Sequence, residues 1–172
     1  MAITKVGAGS FRPHNLTSDK GDKSMKKLEQ SIFLNHSAKD VAKELLGKII
    51  CHKAESGIVS HYRIIETEAY AGDCPYVFKE TQFYTVAQWI AHENMLMITC
   101  SSKESPDNVV IRSVAGHNGP EAPVDALGII SGEAYPHDTL WLEDDGTIVA
   151  FAASERSFLP DGNLVNFKVT EA

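Results

Sequence analysis

The chain has 172 residues, the length of one domain around one core, because domains commonly run to ~100–200 residues. With 43% hydrophobic and 23% charged residues it is neither disordered, collagenous nor disulfide-dense. The net charge of −7 is uneven: residues 1–30 carry six basic and three acidic residues, net +3, which leaves ten basic and twenty acidic residues, net −10, in a body that should repel nucleic-acid phosphates unless a local basic face overrides the average.

Cys51, Cys74 and Cys100 form no C-x-x-C pair, so neither a disulfide framework nor a zinc knuckle is expected. The N-terminus lacks the apolar run of a signal peptide, and no stretch is long and apolar enough for a membrane span, so the expectation is a soluble, cytoplasmic protein with no membrane partner.

Residues 1–30, rich in Gly, Ser, Lys and Asp and without apolar periodicity, read as a mobile tail, and residues 31–172 as the domain. Ala38, Val41, Ala42, Leu45 and Leu46 recur on one face of a helix, with Ser37 and Asp40 as a capping box and Gly47 as its left-handed stop. Lys48–Lys53 and Ile58–Tyr70 read as a hairpin across Glu55-Ser56-Gly57, while Thr81–His92 fits a helix or a strand. Met95–Cys100 and Val109–Val114 are strands. Leu140–Leu142 and Thr147–Ala152 flank Asp144-Asp145-Gly146, whose Asp-Gly step favours a tight hairpin, and Leu164–Val169 closes the set. The fold class is α/β of the α+β type, a single strand-rich domain.

Chemistry concentrates in Arg63-Ile64-Ile65-Glu66-Thr67-Glu68-Ala69-Tyr70-Ala71-Gly72. In a strand, Glu66, Glu68 and Tyr70 share one face at steps of about 6.6–6.8 Å, so two carboxylates lie beside an aromatic able to stack on a planar ligand. The same pattern also fits the wet face of an edge strand, and spacing by itself leaves both readings open.

The string Ile65-Glu66-Thr67-Glu68-Ala69-Tyr70-x-Gly72 resembles the active-site strand of the alkyladenine (3-methyladenine) DNA glycosylase family of the mammalian and Bacillus type. Further fragments keep that family's order: Val41-Ala42-Lys43-Glu44-Leu45-Leu46-Gly47, Val109-Val110-Ile111-Arg112, Gly119-Pro120 with Ala126-Leu127-Gly128-Ile129, Trp141-Leu142-Glu143 and Asn166-Phe167-Lys168-Val169. The resemblance implies a curved, mainly antiparallel sheet with flanking helices, and removal of damaged purines from DNA by base flipping, without metal or cofactor. It implies Glu68 as the general base that orients a water against the sugar C1′. Tyr70 would stack on the base, Arg112 would hold the carboxylate and water, and Glu66 would support them. No lysine sits in the motif to form a Schiff base, so the implied enzyme is a monofunctional hydrolase.

Some family positions differ. Lys79 stands nine residues after Tyr70, where the family has a base-contacting histidine. In the same register, Thr99 takes the place of a discriminating asparagine, Trp89 that of a second pocket tyrosine, and His92 that of the wedge tyrosine that fills the gap in the duplex. Six residues, Ser113–Asn118, replace a long basic loop and helix, and Ala122 stands for a lysine. Long-range attraction to DNA would then fall to Lys20, Lys23, Lys26 and Lys27. Two other readings follow from these losses: a redirected or catalytically degenerate member that binds a nucleobase or small molecule without docking on duplex DNA, and a scaffold with a chance motif.

Overall fold

Every strand pairing among the described residues is antiparallel, as the hairpin and turn signals of the sequence require. The computed structural model describes residues 2–5, 25–71, 87–102, 106–130, 132–156 and 164–170. Its strands are β1 (Ala2–Lys5), β2 (Lys26–Lys27), β3 (Ile49–Lys53), β4 (Val59–Tyr70), β5 (Trp89–His92), β6 (Met95–Ser101), β7 (Pro106–Val114), β8 (Ala134–Tyr135), β9 (Leu140–Asp144), β10 (Ala150–Arg156) and β11 (Leu164–Val169); its α-helices are α1 (Ala38–Leu45) and α2 (Ala122–Leu127). The sheet runs β1-β10-β11-β4-β7-β6-β5-β8, with β3, β9 and β2 added beside the first half of β4. Among the described residues the fold is a curled antiparallel half-barrel with two α-helices, a single mixed domain dominated by its sheet.

β4 organises the molecule because it is long enough to serve two sets of neighbours. Val59–Arg63 pairs with β3, whereas Glu66–Tyr70 is flanked by β11 on one side and β7 on the other. One face of the sheet buries α1 through Ala38, Val41, Ala42 and Leu45, which meet Ala69, Ile98, Val109, Ile111, Val165 and Phe167 from the strands. The Ser37 hydroxyl accepts from the Asp40 N–H at 3.2 Å and donates to the Asp40 carboxylate at 3.0 Å, which holds that carboxyl below its ordinary value. Asp107 of β7 accepts from the Ala38 N–H at 3.1 Å, so the helix start is tied to the sheet as well as capped locally. Gly47 ends the helix at φ +82°, where an added Cβ would lie 3.0 Å from Val149 Cγ1.

One expectation is corrected. Asp144-Asp145-Gly146 is not a hairpin: β9 pairs with β3 and β2, while β10 pairs with β11 and β1, so this segment passes between two groups of strands that join at β4. Long-range ion pairs override the local turn preference. Lys48 reaches Asp144 at 2.9 Å, and Arg63 holds Asp145 through two hydrogen bonds of 3.2 and 2.6 Å. The stretch 1–30, which the sequence reads as a mobile tail, contributes β1 and β2. β1 pairs with β10, β2 pairs with β9, and the Leu28 N–H donates to the Leu142 carbonyl at 2.9 Å, so each supplies a partner to an otherwise open sheet edge. Lys27 also lies 5.3 Å from the Trp141 ring centroid and donates to the His137 carbonyl. Residues 6–24, with Lys20 and Lys23, and residues 81–86 of the stretch that fits either a helix or a strand lie outside the described residues; its end is strand β5.

Burial opposes ionisation of Asp145, but hydrogen bonds from Arg63 and Thr147 outweigh it and hold the carboxyl well below the usual carboxylate range. Its stabilising contribution is thus complete above the ordinary carboxylate pKa of ~3.9 and is lost as pH falls toward the depressed folded value. Asp145→Asn should lower stability by about 2 kcal/mol at pH 7, with the gap to wild type narrowing below about pH 4 in denaturant titrations. Burial, reinforced by Glu143, pushes the Cys51 thiol up to about 12, and burial with Asp107 nearby also raises Cys100. Neither thiol should react with an aromatic disulfide reagent at pH 8 until the protein unfolds, a point that mass mapping of labelled peptides checks.

Candidate active site

Period-two alternation along β4 sends Thr67 and Ala69 toward α1 and Glu66, Glu68 and Tyr70 to the opposite face. The Thr67 hydroxyl donates to the Ala42 carbonyl of α1 at 2.8 Å, which fixes this strand against the helix and therefore fixes the facing of its neighbours. Strand pairing then assembles the site in rows. Ile90, Met97, Val110, Glu68 and Asn166 are successive cross-strand partners over five strands; Thr99, Asn108, Tyr70 and Leu164 form the adjacent row on the same face. Glu68 consequently stands beside an apolar cluster of Tyr70, Ile90, Met97, Val110 and Leu164.

Arg112 lies on this face by the same alternation, two residues beyond Val110, where the register against β4 is irregular. The β4–β7 register passes from Ile64↔Val114 to Glu66↔Ser113 and then to Thr67↔Ile111, which leaves Ile65 as an extra residue on β4 and Arg112 as one on β7. The two bulges compensate, so pairing resumes in register while the guanidinium is aimed at the carboxylates. Arg112 Nη1 lies 3.0 Å from Glu68 Oε2, and Nε lies 3.6 Å from Glu66 Oε1.

Glu68 is only 1% exposed, and each carboxylate oxygen has its own partners. Oε2 receives Arg112 Nη1 and, at 3.3 Å, the amide Nδ2 of Asn166. Oε1 accepts from the Tyr70 hydroxyl at 3.1 Å. With two lone pairs on each oxygen, Oε2 is saturated and Oε1 keeps one acceptor position among the described residues. A water placed at that position could give up a proton to Oε1 while Oε2 stays anchored. Glu66 plays a different part: it accepts from the Ser113 hydroxyl at 3.4 Å, sits 4.0 Å from Lys168 Nζ, and ties Arg112 to a chain that ends at the Gly119 N–H, a donor to Ser113 Oγ at 3.1 Å. Among the described residues, no group of three or more His, Cys, Asp or Glu side chains is disposed to hold a metal ion.

The structure brings together Glu66, Glu68, Tyr70 and Arg112, and it does not bring Trp89 to them. Trp89 is fully buried on the α1 side, edge-on to Phe33 with ring centroids 6.2 Å apart, because β5 alternates and Ile90 takes the site face. Thr99 does face the site, one partner beyond Asn108 in the Tyr70 row, but its hydroxyl is engaged with the backbone of Gln88 at 2.9 and 3.4 Å. His92 ends β5 beside the Glu93-Asn94 turn, both residues at positive φ, and is 43% exposed near Glu93. Lys79 and Cys74 lie outside the described residues. Sequence reasoning missed Asn166. The fragment holding it was visible as a strand, but its register against Glu68 depends on two segments nearly a hundred residues apart in the chain.

Residues 32–75 match the family model of methylpurine-DNA glycosylase (MPG). The chain is DNA glycosylase-like over this stretch. The matched residues run from the end of the turn before α1 through β3 and β4, and so include Glu66, Glu68 and Tyr70; Arg112 and Asn166 come from strands beyond it. No curated protein matches the chain. Because Glu68 is buried against Arg112, removing the arginine leaves its carboxylate without a facing cation, whereas removing the Glu68 charge leaves the arginine still facing Glu66. Arg112→Met should destabilise the protein by about 3 kcal/mol, and the double variant Glu68→Gln/Arg112→Met should recover most of that loss in equilibrium unfolding.

Proposed function

We propose that the protein hydrolyses the N-glycosidic bond of damaged, alkylated purines in DNA, with Glu68 as general base. The observation that carries this reading is the buried Glu68 carboxylate, anchored at 3.0 Å by Arg112 and joined to Tyr70, on a strand that the glycosylase family model covers. In the proposed reaction a water hydrogen-bonded to Oε1 adds through its oxygen to C1′. The C1′–N bond breaks with its electron pair going to the purine, which ring alkylation has made cationic and which leaves neutral; one water proton passes to Glu68 and the other stays on the new C1′ hydroxyl. Arg112 holds the carboxylate in place as that charge moves. Tyr70, whose hydroxyl is fixed by Oε1 and whose ring borders the apolar cluster, offers a stacking surface for the extruded base, and Thr99 lies farther along the same face. His92, exposed at its hairpin tip, is proposed to meet the duplex at the vacated position.

A second reading, a nucleobase-binding protein that does not dock on duplex DNA, is favoured by charge. Residues 31–172 carry ten basic against twenty acidic residues, and Lys43, Lys48, Arg63, Arg112 and Lys168 each face a carboxylate within 4.0 Å. Excision from alkylated duplex and single-stranded DNA at low salt decides between them. Wild type should release alkylated purines, Glu68→Gln should lose at least a hundredfold in rate with the fold retained, and affinity for DNA should fall steeply with salt. Purine or nucleoside binding without base release, together with salt-insensitive or undetectable DNA affinity, would replace the first reading by the second.

A further inference from the structure

We infer that Asn166 is a positioning residue that selects which oxygen of Glu68 acts as the base, an inference that rests on the reading of Glu68 proposed above. Asn166 is the direct cross-strand partner of Glu68 on β11, is 6% exposed, and donates its amide Nδ2 to Oε2 at 3.3 Å. Arg112 alone would leave a position open on each oxygen, so the carboxylate could rotate about its last torsion and present either one to water. The amide fills the second position on Oε2 and leaves Oε1, beside the Tyr70 hydroxyl, as the oxygen with an acceptor position to spare. A neutral amide does this without adding charge beside the arginine, whereas an aspartate of nearly the same shape would oppose Glu68.

The titratable and charged groups facing Glu68 among the described residues are Glu66 and Tyr70 on its own strand and Arg112 on β7, with Lys168 on β11 acting through Glu66. Met97 and Ile90, which continue its row on β6 and β5, carry no charge. Replacing Asn166 therefore changes the carboxylate through one hydrogen bond and leaves those charges in place. Asn166→Leu removes the donor while keeping the branched outline of the side chain, and Asn166→Asp reverses its polarity.

The experiment measures two things on wild type, Asn166→Leu and Asn166→Asp: pH profiles of single-turnover excision on alkylated single-stranded DNA, and titration of the Glu68 side-chain carbon by NMR on carboxyl-labelled protein, assigned with Glu68→Gln. Both variants should move the Glu68 titration and the acid limb of the rate profile upward, Asn166→Asp by about one pH unit or more, and Asn166→Leu should lower the maximal rate roughly tenfold with little change in KM. A strand residue that served packing alone would reduce the folded fraction and leave both titrations unmoved. Unmoved titrations in a folded variant overturn the inference while wild-type excision still stands; if Asn166→Asp does not fold, Asn166→Leu carries the comparison. Wild-type protein that releases no purine overturns the reading of Glu68 as base, and this inference with it, whatever the NMR titration shows.

Discussion

A buried carboxylate against a guanidinium, Glu68 against Arg112 at 3.0 Å, is the constraint around which this half of the sheet is arranged. Taking both charges out of water costs several kcal/mol per ion, and attraction compensates only when geometry is close and the remaining polar positions are satisfied. The structure meets the first condition and satisfies the carboxylate with three donors, while Arg112 Nε, 3.6 Å from Glu66 Oε1, is buried without a hydrogen bond among the described residues. Alternation along β7 puts the guanidinium on the face that carries Glu68, and Tyr70 and Asn166 occupy further positions on the carboxylate. Glu66 then approaches the Nε side of the same arginine, so one cation organises two acids.

The two faces of β4 divide stability from chemistry. Toward α1 it presents Thr67 and Ala69 to the main core; away from α1 it presents Glu66, Glu68 and Tyr70. Because successive residues alternate, any shift of the strand by one position would exchange these sets, and the Thr67 hydroxyl bond to Ala42 works against such a shift. Groups mounted on a paired central strand are held more rigidly than groups on a loop, which suits the part proposed for Glu68.

Electrostatics separates the site from the rest of the surface. Lys48 and Arg63 are engaged with Asp144 and Asp145 in joining β9 to the β3–β4 hairpin, and Lys43 sits within the α1 cap region near Asp40. These cations stabilise connections inside the domain and are drawn away from any phosphate backbone. Under the proposed function, recognition would depend less on long-range attraction than on the local fit of an extruded base beside Tyr70.

Local pattern determined much of this protein. The apolar period of 38–46 with its Ser37 cap is α1, the β-branched run before Tyr70 is β4, and the facing of Glu66, Glu68 and Tyr70 follows from a strand's period of two. Those features arise from residues a few positions apart, so the chain states them directly. Tertiary structure decided what depends on distant register. It turned Asp144 and Asp145 into ion-pair partners of Lys48 and Arg63, set β1 and β2 on open edges, and sent Trp89 to the α1 side. It also delivered Asn166 to Glu68, because strand pairing and compensating bulges are settled by the energy of the assembled sheet, to which no short segment holds the key.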